Sequence, residues 1–295
     1  MSLLVGTVTG LFVDGRHEIK GDRVRWLARG AVTAGTWWAI AGKTLVRGGG
    51  DEWYQIASIE GLTCAQPVDG AAVVGTAGAH LLHAGTGELE PLLSFDDMRG
   101  RDDWHAVGSR EPYVRSLTAT VEGVLLANVH VGGIPRSVDG GVTWEPTIDV
   151  DADVHQVRAH PERPELAIAA AAVGACRSED GGATWRVETA GLHATYCRAV
   201  ALADDVMFVS ASTGPRTEQG ALYRRAIDSD GPFERCTDGL PEWQPHNVDT
   251  GCVDTDGARV VFGGADGVVY GSDDAGRTWR VLAEGLPHIT AIAID

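Results

Sequence analysis

The sequence predicts an all-β fold: a single β-propeller domain over residues 1–295, built from seven four-stranded blades. Three observations predict it. The pattern S-x-D-x-G-x-T-W occurs at Ser137–Trp144, Ser178–Trp185 and Ser272–Trp279. The first two copies start 41 residues apart (178 − 137) and the last two 94 (272 − 178), or two steps of 47; a period of this length marks a propeller or a solenoid. Between the copies, short apolar runs alternate with Gly/Asp turns, and no long stretch has helical period.

The clearest repeat spans Val154 to Leu192. His155–His160 reads as a strand, Pro161–Glu165 as a turn, Leu166–Val173 as a nearly all-apolar second strand and Ala175–Ser178 as a third. The octapeptide turns into a fourth strand at Trp185–Glu188. Four antiparallel strands make one blade. The order recurs from Tyr113 through Val124–Val131 to Trp144. It returns from Tyr196 through Val206–Ser210 and Ala221–Arg225 to a degraded turn at Ile227–Phe233, and again from Asn247 through Arg259–Gly263 and Val268–Gly271 to Trp279. Weaker blades are read at Leu62–Gly70, Ala71–Thr76 and Leu81–Ala84, and at Trp37–Gly42, Thr44–Arg47 and Trp53–Ile56. Leu3–Thr7 matches a second strand and Ile289–Asp295 a first strand, so the C-terminal strand is expected to complete the N-terminal blade and close the ring. The count is then seven, or six if the first 60 residues pair otherwise.

Within the octapeptide, the Asp side chain suits a turn whose backbone N–H groups it accepts. Gly141, Gly182 and Gly276 permit positive φ, and each Trp packs between blades, with its N–H needing a partner. This pattern resembles the BNR/Asp-box repeat family, which includes sialidases, sortilin-type receptors and a photosystem assembly factor. In that family the boxes lie at the blade periphery, away from the active site, so the resemblance implies a fold and not an activity. Sialidases carry an Arg-Ile-Pro motif near their start. It is absent here; Gly133-Ile134-Pro135-Arg136 is out of order and misplaced, so sialidase activity is not expected.

Composition excludes several functions. The 295 residues are 44% hydrophobic and 22% charged, an ordinary globular mixture. A net charge of −17 repels nucleic-acid phosphates and acidic lipid, so neither is an expected partner. Leu3–Val13 lacks a basic leader and is interrupted by Gly6, Thr7, Thr9 and Gly10, so it reads as two strands and a turn rather than a signal peptide. Cys64, Cys176, Cys197, Cys236 and Cys252 are odd in number and form no CxxC pair, as expected of buried, reduced thiols in a cytoplasmic protein. Asp149–Asp153 and Asp254–Gly257 are rich in carboxylates, but neither has the bidentate Glu of a calcium loop.

Candidate site residues come from aligning the starts of the inner strands. Tyr113-Val114-Arg115, Gln156-Val157-Arg158, Tyr196-Cys197-Arg198, Asn247-Val248-Asp249 and His288-Ile289-Thr290 fall at one register. Arg115, Arg158 and Arg198 would then converge on one rim, where guanidinium forks hold carboxylate or phosphate; the alternative is that they pair with acidic neighbours. Tyr113 and Trp38 are further candidate ligand contacts, with Trp37 and Trp38 either walling the channel or packing in the core. His155, His193, His246 and His288 lie in or just before the same entry segments, and His130 falls near the end of a second strand whose connecting loop should reach the same rim. They are candidate ligands for a divalent transition metal (Zn, Cu, Fe or Ni) or proton carriers. His155, His246, Tyr196 and Asp249 are the candidate catalytic residues, with Asp249 orienting a His or joining the metal. Phe95–Trp104 interrupts the spacing and is either a loop over the rim or a decayed repeat turn.

Two functions follow. One is an enzyme, a lyase or hydrolase acting on a small anionic molecule at the channel mouth. The other is a non-catalytic module that presents its rim to a protein partner.

Overall fold

The computed structural model describes residues 2–30, 35–49, 52–85, 87–105 and 111–295. Each of its seven sheets has four antiparallel strands, in consecutive order in six of them. Blade 2 is Val24–Arg29, Trp37–Ala41, Thr44–Gly49 and Glu52–Ser58; blade 3 is Leu62–Val68, Ala71–Thr76, Leu81–Ala84 and Leu89–Pro91. Blade 4 is Val114–Ala119, Leu125–Val129, Pro135–Ser137 and Glu145–Pro146, and blade 5 is Val154–Ala159, Ala167–Ala171, Gly174–Ser178 and Arg186–Glu188. Blade 6 is Tyr196–Ala203, Val206–Ser212, Ala221–Ala226 and Glu234–Arg235; blade 7 is Val253–Asp256, Arg259–Gly263, Val269–Ser272 and Arg280–Ala283. Blade 1 takes Leu3–Thr7, Gly10–Val13 and Arg16–Lys20 from the N-terminus and Ile289–Ile294, innermost, from the C-terminus.

Ile289–Ile294 pairs antiparallel with Leu3–Thr7. Each inner strand touches the next around the axis, and blade 7 touches the closing strand, so the ring is complete. The core is not central; it lies in apolar layers between neighbouring blades. Trp37 and Leu27 of blade 2 meet Leu4, Leu11 and Ala291 of blade 1. Phe208 and Leu222 of blade 6 meet Phe262 and Trp279 of blade 7. Strands flanked on both faces read as continuous apolar runs: every residue of Ala167–Ala171 is buried. Each large side chain so buried contributes about 1.5–3 kcal/mol.

The repeat turns are built as their residues require. Ser137 donates to Asp139 Oδ1 (2.8 Å) and accepts from Gly141 N (2.8 Å). Asp139 also accepts from Thr143 N and Thr143 Oγ1, at 2.9 and 2.6 Å. Gly141 sits at φ 90°, which a side chain rarely adopts. Trp144 donates to Gly141 O and Trp279 to Gly276 O, at 3.2 and 3.1 Å, while Trp185 instead reaches Thr147 Oγ1 at 3.0 Å. In blade 6 the degraded turn keeps its packing, with Ile227 and Phe233 buried.

Two sequence expectations are corrected here. Trp37–Ala41 is the second strand of blade 2; its inner strand is Val24–Arg29. Trp38 therefore does not wall the channel. It is buried between blades 2 and 3, beneath Arg47. No residue of Phe95–Trp104 lines the channel mouth; the segment packs beside it, with Arg101 donating to Ala79 O and Gly78 O and the fully buried Phe95 ring 5.0 Å from that of Trp144 and 5.5 Å from that of Trp104.

Candidate functional site at the channel mouth

A single device aims side chains into the channel. Six inner strands carry a β-bulge near their start, among the described residues. In blade 4, Val114 opposes Val129 and Ser116 opposes Asn128, leaving Arg115 over. The same break leaves Arg25 in blade 2, Thr63 in blade 3, His155 in blade 5 and Thr290 in blade 1. In blade 6 it falls between Cys197 and Val200, at Arg198. An extra residue bends its strand and re-aims a side chain. Repeated around the ring, it brings five of these six residues to one opening, with His155 just beneath it.

That opening is a cavity of about 620 Å³, lined among the described residues by Arg23, Arg25, Arg115 and Arg198, with Asp153 and Asp249 as the carboxylates. Tyr113, Tyr196, His130 and His288 also line it. Four guanidiniums against two carboxylates make a cationic mouth on a chain of net charge −17.

The four arginines are not equivalent. Arg115 Nη2 and Arg198 Nη1 grip the two oxygens of Asp249, at 3.0 and 2.8 Å. Arg115 Nε donates to Thr250 Oγ1 (2.9 Å) and Arg198 Nη2 to Tyr196 Oη (3.2 Å). Burial opposes ionisation of Asp249, yet the two guanidiniums outweigh it and hold its carboxyl below the usual range. Arg25 is looser. Its Nη1 reaches Leu62 O at 3.3 Å, and its Nε is buried without a hydrogen-bond partner among the described residues. Burial, then the like charge of Arg23, pushes Arg25 down.

Behind the arginines lies a His–Asp–His group. Asp153 Oδ1 is 3.3 Å from His130 Nε2, and its Oδ2 is 3.5 Å from His155 Nε2. Neither approach closes a hydrogen bond for Asp153 Oδ1 or for His155 Nε2, both buried. On its other edge, His155 Nδ1 donates to Cys197 O at 2.6 Å. The rings of Tyr113 and Tyr196 flank the pair, 5.1 Å from His130 and 4.9 Å from His155. Burial, then Arg115, pushes His130 down to about 4. His155 is also lowered, by burial first, against the pull of Asp153. Both imidazoles are therefore neutral bases near pH 7.

The expected rim is partly assembled. Arg115, Arg198, Tyr113, Tyr196, His130, Asp249 and His288 share the mouth, with His155 beneath it. Arg158 does not join them. Three positions beyond the bulge, it lies at the far end of the channel, 3.6 Å from Asp254 Oδ1, in a separate cavity of about 520 Å³ with Arg29 and Asp256. The residue of blade 5 equivalent to Arg115 is His155. His246 does not line the cavity; it lies beside Asp266, at 3.1 Å. His193 is held by Tyr223 Oη and Gln219 O and packs on Trp243. Asp249 grips arginines rather than a histidine. Sequence reading missed Arg25 and Arg23, and it weighed Asp153 only within the Asp149–Asp153 carboxylate run, as a calcium loop. The Val24-Arg25 start repeats Val114-Arg115 and carried a usable signal; nothing in the run pairs Asp153 with His130 and His155.

No protein-family model matches the chain, and no curated protein matches it. Solved structures do. An ancestral GH74 enzyme superposes with TM-score 0.66 at 13% identity, over 96% of this chain and 40% of that one; the chain thus spans about two fifths of that enzyme. YCF48 from Cyanidioschyzon merolae gives TM-score 0.62 at 14% identity, over 95% of this chain and 88% of that one, and a YCF48 structure with a D1 peptide also matches. A catalytically inactive virginiamycin B lyase from Staphylococcus aureus, solved with quinupristin, gives 0.61 at 12%, over 88% and 83%. A nidogen/laminin complex matches at 0.56. At such identities the likeness is one of architecture, and it agrees with the sheets: the protein is a seven-bladed β-propeller.

Proposed function

We propose that the protein binds a small anionic molecule at the channel mouth and acts on it as a lyase or hydrolase. The observation that carries this reading is the concentration of Arg23, Arg25, Arg115 and Arg198 at one opening of a strongly acidic chain. Guanidiniums in a concave, partly dehydrated site favour carboxylate or phosphate. Arg25, with an unpartnered Nε, and Arg23 beside it receive the anion; Asp249 keeps Arg115 and Arg198 engaged. Tyr113 and Tyr196 present hydroxyls and rings to the bound molecule. His130 and His155, neutral and adjacent to Asp153, supply either a proton acceptor or, with a divalent transition metal as cofactor, a Lewis acid. We place the chain among the BNR/Asp-box propellers on its three repeat turns, and in the cytoplasm on its reduced, buried cysteines.

Calorimetric titration with inorganic phosphate and with citrate tests the reading. Binding of either, weakened about tenfold or more in Arg25→Ala, supports it. Absence of binding to both, at millimolar concentrations, removes it.

A second reading is supported by architecture-level neighbours solved with partners, YCF48 with a D1 peptide and nidogen with laminin. In it, the same rim receives a protein or peptide carboxylate. A stable complex recovered by pull-down, lost in Arg25→Ala, with no turnover of any anion, would favour it over the enzyme.

A further inference from the structure

We propose that His130, Asp153 and His155 are the three protein ligands of one divalent transition-metal ion. The site deepens the reading above by assigning its cofactor position, and rests on it only for what the metal does. Three observations carry it.

The first is an unanswered pair of atoms. His155 is fully buried, and its Nδ1 donates to a carbonyl, Cys197 O, which can only accept. In the neutral ring that tautomer leaves a lone pair on Nε2. His155 Nε2 faces Asp153 Oδ2 and His130 Nε2 faces Asp153 Oδ1, and neither His155 Nε2 nor Asp153 Oδ1 closes a hydrogen bond. A buried ring nitrogen and a buried carboxylate oxygen left without partners are costly, and a cation held by this group would satisfy both.

The second is spacing. Ligands about 2.1 Å from a tetrahedral zinc ion lie about 3.4 Å from one another. Taking one ligand atom from each residue, all three lie within 4.8 Å of one another, and the two imidazoles approach different oxygens of Asp153, His130 Nε2 at 3.3 Å from Oδ1 and His155 Nε2 at 3.5 Å from Oδ2. Little movement would be needed to close the set on an ion.

The third is the outer shell. A metal-binding His characteristically donates its second N–H to a carbonyl or carboxylate, which fixes the ring. His155 has that bond already, at 2.6 Å. Tyr113 and Tyr196 hold the two rings from the sides. The donor set, two imidazoles and one carboxylate, suits zinc and its first-row neighbours. Three protein ligands leave a coordination position open, and Asp153 and His130 both border the arginine-lined mouth. A bound anion or a water would occupy that position. Asp249, clamped between Arg115 and Arg198, offsets the positive field those two would otherwise direct at the ion.

The test uses the full chain stripped with a chelator and titrated with ZnCl₂ or CoCl₂, with metal content measured by mass spectrometry and Co²⁺ coordination by visible absorption. One equivalent of metal is expected, with an intense low-coordinate Co²⁺ spectrum. His130→Ala and Asp153→Asn should each weaken affinity about 100-fold or more, while His246→Ala stays within about twofold of the parent. Failure of the unaltered chain to take up one equivalent overturns the proposal; that measurement stands even if a variant fails to fold. So does uptake that is equal in folded His130→Ala, Asp153→Asn and parent proteins. Stoichiometric metal without phosphate or citrate binding would sink the anion reading and leave this site intact; anion binding without metal would do the reverse.

Discussion

The outer repeat turns and the inner bulges are both periodic, and they are opposites. The carboxylates of Asp139, Asp180 and Asp274 each accept from the Thr of the same octapeptide. At the bulges, side chains from different blades meet and some are left unmatched: Arg25 Nε, Arg198 Nε and His155 Nε2 are all buried without a hydrogen bond. Self-sufficient groups stabilise, and unmatched ones are available for a ligand. Periodicity alone does not separate the two; what differs is whether a side chain's partners come from its own turn or from other blades.

The largest effect should come from removing residues 289–295, which carry both a bulge and the closing strand. Ile289, Ile292 and Ile294 are each at most 2% exposed, and the segment pairs with Leu3–Thr7 along its length. The truncated chain is expected to lose its cooperative thermal transition. A melting temperature equal to the parent's would show that closure contributes nothing.

Next comes a pure test of the outer region. Trp279→Ala should cost about 3–5 kcal/mol in urea unfolding, because the ring is buried and stands edge-on to Phe262 at 5.2 Å. Anion affinity at the mouth should not change. If it falls in parallel with stability, the two regions are not separable.

Asp249→Asn probes the inner region. Losing that charge leaves Arg115 and Arg198 uncompensated, so affinity for phosphate or citrate should rise about tenfold, or about 1.4 kcal/mol, in calorimetry. A fall would mean that Asp249 positions the arginines for the ligand rather than competing with it.

These regions also differ in how much of them could be read from the chain. The turns are legible because every copy needs the same Ser, Asp, Gly and Thr, so chemistry fixes the letters. Bulge positions hold Thr290, Arg25, Thr63, Arg115, His155 and Arg198. A bulge is a backbone event that accepts many side chains, so letters do not reveal it. Matching the dipeptide Val157-Arg158 to Val114-Arg115 therefore chose the wrong residue by three places. Blade spacing would have served better: Val154 lies 40 residues beyond Val114 (154 − 114) and Cys197 lies 43 beyond Val154 (197 − 154). Trp38 misled for a related reason, since an aromatic strand flanked on both faces looks the same whether first or second in its blade.

A smaller effect separates the regions by pH. Backbone and hydroxyl donation from Thr278 holds the Asp274 carboxyl at about 2, below its ordinary 3.8. Stability from this group is thus fully present above pH 3.8 and is lost as the pH falls towards 2. Asp274→Asn should lower the urea midpoint slightly at neutral pH and flatten its decline between pH 4 and 2. An unchanged acid limb would mean the turn's carboxylate does not contribute to stability.

The smallest expected effect is the sharpest for the geometry. Arg158 repeats the Val-Arg dipeptide of Arg115, yet it faces Asp254 at the far end of the channel, where Arg29 and Asp256 form a second ion pair at 3.5 Å. That cavity is lined by Arg29 and Arg158 against Glu162, Asp204, Asp254 and Asp256, so unlike the mouth it does not favour an anion. Arg158→Ala should therefore leave phosphate or citrate affinity within about twofold of the parent, where Arg25→Ala loses about tenfold. A comparable loss in both would put Arg158 within reach of the ligand. The bulge, and not the dipeptide, would then have failed as the rule that decides which inner-strand side chains reach the mouth.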